Sequence, residues 1–318
     1  MIFHNKISVI APMYNEEAII ESFLKKTLAV LQCHFTDYEV ILVDDGSTDR
    51  SLACCTPFIK SNKNIRLLAF SRNYGHEIAS TAGLDHASGD YVILMDTDLQ
   101  HPPELIPEMM AKAAEGYDVV CARRVNRAHE PRLKRFLAKI FYRLTSKMTG
   151  FDMQEDTGNF RLLSRKVVDS LKKMKESNRH LLMLFAYVGF KTATIPFHCP
   201  PRQGGSSKYN LKKLINLSLD SIISFSARPL RAMSVLSFLI SLAMMSYAGF
   251  TLIGKLFNPS GSEGLVSILF FISILFSVLF LFLAIISEYI SRILVETKNR
   301  PLYYIKQEIT QETIEHGF

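Results

Sequence analysis

Three short acidic strings hold the residues best suited to chemistry. The sharpest is Leu94-Met95-Asp96-Thr97-Asp98-Leu99-Gln100-His101-Pro102-Pro103, an apolar run that ends in two aspartates two positions apart. In extended backbone such side chains project to the same side, so Asp96 and Asp98 offer a pair of hard oxygen ligands. Ligands of that kind suit Mg²⁺ or Mn²⁺, ions that also bind a diphosphate. A metal held there would neutralise charge building on a departing nucleoside diphosphate, which is Lewis-acid assistance. The second string is Val43-Asp44-Asp45-Gly46-Ser47-Thr48-Asp49. A glycine turn with Ser, Thr and Asp caps accounts for Gly46 to Asp49. It does not account for Asp44 and Asp45 side by side, because adjacent carboxylates repel unless a partner offsets them. The third string is Pro12-Met13-Tyr14-Asn15-Glu16-Glu17. Tyr14 suits stacking on a nucleobase and Glu16 suits accepting from base or ribose groups, while Asn15 and Glu16 equally suit helix capping.

The elements that must position these strings follow from apolar periodicity. Lys6–Ala11, Glu39–Val43, Ile65–Phe70, Tyr91–Met95 and Asp118–Cys121 read as short β-strands. Glu16–Leu31, Ser51–Lys60, Gly75–His86 and Pro103–Glu115 read as helices between them. This βαβα rhythm predicts an α/β, Rossmann-like domain with a mostly parallel sheet and helices on both faces. Such sheets bind ligands beyond the carboxyl ends of their strands, where all three acidic strings lie.

The chain has 318 residues, more than one ordinary domain needs, and its apolar content is uneven. Between Ala232 and Ser287 the only charged residues are Lys255 and Glu263. Ala232–Ile253 and Leu265–Ser287 are each long enough to cross a ~30 Å hydrocarbon core as a helix. The alternative, two buried helices of a soluble fold, is disfavoured by two adjacent uncharged runs of spanning length. The connecting loop, Gly254–Gly264, is rich in Gly, Pro, Ser and Asn. The outer flanks are basic, with Lys208, Lys212, Lys213, Arg228 and Arg231 before and Arg292, Lys298 and Arg300 after. The positive-inside rule then puts both termini in the cytoplasm. The formal net charge is +7, and because its excess clusters beside these spans, anionic lipid explains it more simply than nucleic acid. Cys33, Cys54, Cys55, Cys121 and Cys199 are odd in number and lack CxxC spacing, which suits reduced thiols better than a disulfide frame or zinc site. Residues 1–12 suit a first strand rather than a secretory signal. Two basic amphipathic stretches, Pro131–Met148 and Tyr209–Phe225, suit either the headgroup layer or a solvated helix packed on the domain.

Taken together, the motifs resemble family-two glycosyltransferases of the GT-A fold, specifically the polyisoprenyl-phosphate glycosyltransferases. These include dolichyl-phosphate mannose synthases and bacterial bactoprenol glucosyltransferases, and the bacterial branch is the nearer. The strings that carry the resemblance are PMYNEE at 12–17, VDDGSTD at 43–49, SRNYGHEIASTAGLDHASGD at 71–90 and DTDLQHPPELIP at 96–107. It continues through DTGNFRLLSRKVV at 156–168, RQGGSSKYN at 202–210, the two spans, and EYISRILVETKNRPLY at 288–303. The resemblance implies that Pro12, Tyr14, Glu16, Asp44, Asp45 and Thr97 bind the donor, with Asp96 beside its ribose and diphosphate. It implies that Asp98 and Gln100, with Asp96, hold Mg²⁺ or Mn²⁺, and that Arg123 lies between donor and acceptor phosphates. Arg202 and Lys208, on a Gly/Ser-rich loop, would close over the diphosphate, unless that loop is a plain linker. Lys134 and Arg135 would guide the acceptor phosphate.

One position departs from the pattern. Similar bacterial enzymes generally have Asp where this chain has Asn159, and that Asp is a candidate catalytic base. Asn cannot take a proton at neutral pH, so either Asp156 substitutes or no strong base is required. The second reading is favoured, because a polyisoprenyl phosphate is already an anion and catalysis can rest on positioning and leaving-group stabilisation.

The expected organisation is a cytoplasmic GT-A domain over 1–208, a juxtamembrane amphipathic segment over 209–231, a transmembrane hairpin with spans at 232–253 and 265–287, and a cytoplasmic tail over 288–318. The expected reaction transfers a sugar with inversion, glucose from a UDP-sugar being favoured, to undecaprenyl phosphate at the inner (cytoplasmic) membrane for cell-surface glycan modification. The resemblance makes a homo-oligomer plausible, and no nucleic-acid partner is expected. A processive polysaccharide synthase would carry a QxxRW motif, and this chain has no Trp. A non-catalytic nucleotide-sugar- or lipid-binding scaffold is the rival that Asn159 motivates.

Overall fold

A computed structural model describes residues 2–125, 146, 150, 157–198, 228–257 and 264–315. The chain divides into two units, one built from Met1–Ser146, Phe151–Leu211 and Arg300–Phe318, the other from Lys147–Gly150 and Lys212–Asn299.

The first unit is organised by an eight-stranded sheet of order β7-β5-β6-β4-β1-β2-β3-β8. Its strands are β1 (Ile7–Met13), β2 (Tyr38–Asp44), β3 (Ile65–Phe70), β4 (Tyr91–Leu94), β5 (Val119–Arg124), β6 (Thr157–Ser164), β7 (Thr192–Phe197) and β8 (Ile305–Ile309). β1 is parallel to β2 and β4, β2 to β3, and β5 to β7, whereas β6 runs antiparallel to β4 and β5, and β8 antiparallel to β3. Every residue of β1 is buried, as expected of a central strand covered on both faces. Its alternate residues serve different layers. Ile7, Val9, Ala11 and Met13 join a core with Phe23, Leu24 and Leu31 of α1 (Ile20–His34). Ile10 faces α3 (His76–His86), so closely that a Cβ on Gly83 would lie 2.1 Å from its Cγ2. Helices α2 (Ser51–Ser61) and α4 (Ile106–Ala114), the latter after a short 3₁₀ turn at Pro103–Leu105, complete the expected alternation. Full burial of each large apolar side chain in this core stabilises the fold by ~1.5–3 kcal/mol.

The boundaries differ from expectation where loops take over the backbone. β1 continues through Pro12 to Met13, which pairs with Asp44, so the tips of β1 and β2 are level. α1 begins at Ile20 rather than Glu16, because Asn15 adopts φ 56° and the Glu16 and Glu17 N–H groups turn to Ser51 and Asp49. β5 extends to Arg124, with an irregularity between Cys121 and Arg123. After β6 come α5 (Arg165–Lys172) and α6 (Leu181–Val188).

The second unit contains α7 (Arg228–Phe257) and α8 (Leu265–Thr297), longer than the spans expected at 232–253 and 265–287. Two stretches, Leu230–Tyr247 and Ile274–Thr297, are long and apolar enough to cross a membrane, and almost none of their residues are covered by protein. Phe238 and Phe280 are 68% and 65% exposed. Apolar surface of this extent is unfavourable in water and suits lipid.

The segment expected as a cytoplasmic tail over 288–318 is corrected by the sheet. Residues 288–297 continue α8, and the chain then re-enters the first unit, where β8 forms its edge and α9 (Gln311–Glu315) follows. Ile309 is buried beside Leu67, Tyr303 stacks on Phe70 at 5.2 Å, and its hydroxyl donates to Asp85 Oδ2 at 3.1 Å. The amphipathic stretches expected at 131–148 and 209–225 lie outside the described residues, apart from Ser146.

Candidate active site

The three acidic strings meet at the carboxyl tips of β1, β2 and β4. The loops after β1 and β2 are laced together: Ser47 Oγ accepts the Asn15 N–H at 2.9 Å, Asn15 Oδ1 accepts the Thr48 N–H at 2.8 Å, and Glu17 Oε2 accepts the Arg50 N–H at 3.0 Å. These bonds assign Asn15 and Glu17 to holding the loops. Tyr14 keeps an exposed ring at the rim, Glu16 is half-buried next to it, and Pro12 is buried beneath.

Asp44 and Asp45 are both buried, at 2% and 4% exposure, and their adjacency has a structural explanation that the local sequence could not supply. They turn to different donors. Asp44 accepts the Ser47 N–H at 3.2 Å on both oxygens, closing its own turn. Asp45 accepts the N–H groups of Tyr74, at 2.6 Å, and Gly75, at 2.9 Å, from the loop before α3. Burial pushes both carboxyls above the usual range, and these hydrogen bonds oppose it. Gly46 lets the two loops touch: its φ is +72°, and a Cβ there would sit 2.7 Å from the Arg72 carbonyl carbon.

Beyond β4 the chain forms a compact acidic loop. Asp98 Oδ1 accepts the Gln100 N–H at 3.0 Å, and Leu99 takes φ 60° with its side chain buried. Thr97 is buried, and its hydroxyl lies 3.5 Å from the Pro12 carbonyl. Asp96, Asp98 and Gln100 are half-buried. His101 closes the loop, its Nδ1 accepting the Asp96 N–H at 2.9 Å, and burial holds its imidazole below the usual histidine range. Among the described residues no group of three or more His, Cys, Asp or Glu side chains makes a complete metal cage. Mg²⁺ and its kin do not need one, since they bind through one or two carboxylates together with phosphate oxygens and water. The Asp96 and Asp98 carboxylates fit that requirement.

On the next strand, Asn159 Nδ2 lies 2.9 Å from His76 Nε2, which in turn lies 3.3 Å from Asp96 Oδ1. The residue that departs from the expected pattern is therefore one histidine removed from the acidic loop. Arg123 is exposed near the end of β5, and Arg124 Nη2 lies 3.4 Å from His101 Nε2. Of the expected site residues, Pro12, Tyr14, Glu16, Asp44, Asp45, Asp96, Thr97, Asp98, Gln100, Arg123 and Asn159 are placed on strand tips or the loops that follow. Asp156, Arg202, Lys208, Lys134 and Arg135 lie outside the described residues. His76, His101 and the Tyr74–Gly75 amides were not singled out from sequence. Both histidines stand inside the 71–90 and 96–107 motifs, and His101 follows Asp96 by five positions, which is the local signal they give.

The family profile of Glycosyl transferase family 2 matches residues 8–172, the segment that carries these loops. The chain belongs to that family. An uncharacterized glycosyltransferase, YkcC, of Bacillus subtilis is 41% identical over 305 residues, covering 96% of this chain and 94% of that protein. The bactoprenol glucosyl transferase of Shigella phage SfV is 37% identical over 303 residues, covering 95% and 99% respectively. A crystal structure of a mycobacterial protein aligns with TM-score 0.52 at 17% identity, over 70% of this chain and 75% of its own, and shares the fold. This family 2 protein is thus a glycosyltransferase with a mixed α/β GT-A fold, and it carries two apolar helices of membrane-spanning length.

Proposed function

We propose that this glycosyltransferase moves a sugar, glucose being favoured, from a UDP-sugar to undecaprenyl phosphate, with inversion at the anomeric carbon. The observation that carries the reading is the acidic loop of Asp96 and Asp98, set level with the Asp45 and Tyr14 loops at one edge of a parallel sheet. The relatives named as bactoprenol glucosyl transferases support the lipid acceptor.

In this reading Tyr14 stacks on the base, Glu16 takes base or ribose hydrogen bonds, and buried Asp45 ties the loop before α3 beside them. Asp98, Asp96 and Gln100 would hold Mg²⁺ or Mn²⁺, which supplies Lewis-acid neutralisation of the diphosphate. Arg123 offers a cation between the two phosphates. An acceptor phosphate oxygen forms a bond to the anomeric carbon as the bond to the diphosphate oxygen breaks, and the electron pair leaves with UDP. The acceptor is ionised beforehand, so Asn159 need not remove a proton. Its amide and His76 orient the attacking side, and positioning is what they contribute.

Connectivity supports the membrane arrangement. The chain leaves the first unit before α7 and returns to it as β8 of the same sheet. A chain whose two ends build one sheet crosses the bilayer an even number of times, which matches two spans. The basic flanks then put the sheet and both termini on the cytoplasmic side.

The test uses purified full-length protein, undecaprenyl phosphate, and a panel of radiolabelled UDP- and GDP-sugars with Mg²⁺ or Mn²⁺. Label should enter a lipid from one UDP-sugar and fail to do so with chelator. Nucleotide binding without labelled lipid from any donor would refute the transferase reading in favour of a scaffold.

A further inference from the structure

We propose that His101 is a positioning residue for the acidic loop, its ring clasping Asp96 so that the loop presents the Asp96 and Asp98 carboxylates in one fixed arrangement. The inference rests on the proposed metal and diphosphate role of those carboxylates.

The geometry begins with a constraint on the ring. The Asp96 main-chain N–H can only donate, so His101 Nδ1, 2.9 Å away, must accept. The neutral ring then carries its proton on Nε2, which lies 3.8 Å from Asp96 Oδ2. The imidazole therefore holds Asp96 through its backbone N–H, and its other nitrogen faces the same residue's carboxylate at a distance too long for a direct hydrogen bond. Arg124 Nη2, 3.4 Å from Nε2, flanks this edge. The ring itself is fixed from outside the loop: it is 1% exposed and stacks on Phe160 of β6 at 4.9 Å with planes 15° apart. Phe160 is fully buried and packs edge-on against Phe197 of β7.

The loop between clasp and anchor has little freedom left. Thr97 and Leu99 are buried, Leu99 is held at φ 60°, and Asp98 is turned by its bond to the Gln100 N–H. Cutting the Asp96–His101 bond would release the end of a turn whose residues 96, 98 and 100 form the expected ligand set. Groups that orient metal-binding side chains in this way typically change metal affinity by 10–100-fold when removed. A histidine that merely filled core volume would be replaceable by an apolar residue of similar size without that effect.

Manganese titration by electron paramagnetic resonance, on the detergent-solubilised full chain with UDP, separates the two. Wild type should bind Mn²⁺ and D98A should bind it weakly. H101L should weaken Mn²⁺ binding by roughly 10–100-fold, whereas H101N, whose Oδ1 can stand where Nδ1 stands, should recover much of the loss. H101L that melts like wild type and binds Mn²⁺ equally well overturns the clasp. If H101L does not fold, H101N and H101Q decide: Gln reaches the Nε2 position and leaves the Asp96 N–H without its acceptor, so H101N should bind Mn²⁺ more tightly, and equal affinities overturn the proposal. Wild type that binds no Mn²⁺ with UDP, or D98A that binds it fully, overturns the reading of the loop as a metal site and the clasp with it, a result distinct from failure of H101L alone.

Discussion

Replacing Asn159 with Asp sets two accounts of catalysis against each other with effects of opposite sign. The carboxylate is isosteric with the amide, so it would stand about where Nδ2 stands now, 2.9 Å from His76 Nε2, with Asp96 Oδ1 a further 3.3 Å beyond that nitrogen. If turnover needs a base at this point, N159D should supply one, and a positioned general base contributes 10²–10⁴-fold. If the acceptor is an anion that needs no base, the new charge only repels it. Two unit charges 4 Å apart interact by about 1 kcal/mol in water and about 4 kcal/mol near a protein surface. The His76 and Asp96 side chains beside the site are 43% and 31% exposed, so screening places the penalty at the lower end, ~1–2 kcal/mol. That corresponds to an acceptor KM raised ~5–30-fold with kcat essentially unchanged. The assay is an initial-rate series in undecaprenyl phosphate at saturating donor, with N159A as the neutral control. A kcat for N159D that rises ~100-fold or more would refute the base-free mechanism, whatever happens to KM.

Three further outcomes follow from the packing of the first unit. Gly46→Ala forces a side chain into φ +72° and against the Arg72 and Asn73 backbone at 2.7–2.8 Å, so it should cost ~2–3 kcal/mol and weaken UDP binding; an unchanged melting temperature would show that the loops do not touch there. Glu39 is half-buried, which pushes its carboxyl up, but hydrogen bonds from Ser8 and Ser88 and the Arg66 charge outweigh that and hold it below its ordinary value of 4.5. A depressed carboxyl contributes stability above that value and loses it as pH falls through the folded one, so E39Q should be less stable than wild type at pH 7, by ~1–3 kcal/mol. The gap between E39Q and wild type should close below pH 4.5, and a constant gap in melts across pH 3–7 would contradict this assignment. Ile309→Ala removes the β8 side chain buried beside Leu67 and should cost ~2–3 kcal/mol by chemical denaturation; no loss would mean that the C-terminal strand is dispensable.

The strands that could be read from sequence share one property: β1 to β5 are short, nearly continuous apolar runs, because a central parallel strand is covered on both faces. β8 fails that test. Its sequence puts Ile305, Gln307 and Ile309 on the covered side and the charged Lys306 and Glu308 on the exposed one, as an edge strand with one wet face should. Beside a hydrophobic hairpin it resembles a solvated tail until its pairing with β3 is known. β6 is hidden within a longer motif, since Arg161 interrupts Phe160 and Leu162, although Arg161 is itself buried, with its guanidinium over the Phe185 ring at 4.6 Å.

The site divides along the same physical line. Carboxylates two apart just past an apolar run announce themselves locally, although β4 ends at Leu94 and the bend that follows, not strand alternation, sets their directions. Partners supplied from elsewhere do not. The amides that offset Asp45 come from Tyr74 and Gly75, 29 and 30 positions away, and the histidine beside Asn159 lies 83 positions away at the opening of α3. Asn159 read alone looks like the loss of a base. Read with His76 between it and Asp96, it is one end of a row in which a carboxylate at 159 would share a single imidazole with the carboxylate of Asp96. The amide avoids that second negative charge on the side from which the proposed anionic acceptor would approach, and this is the physical reason to expect Asn159 to be compatible with turnover.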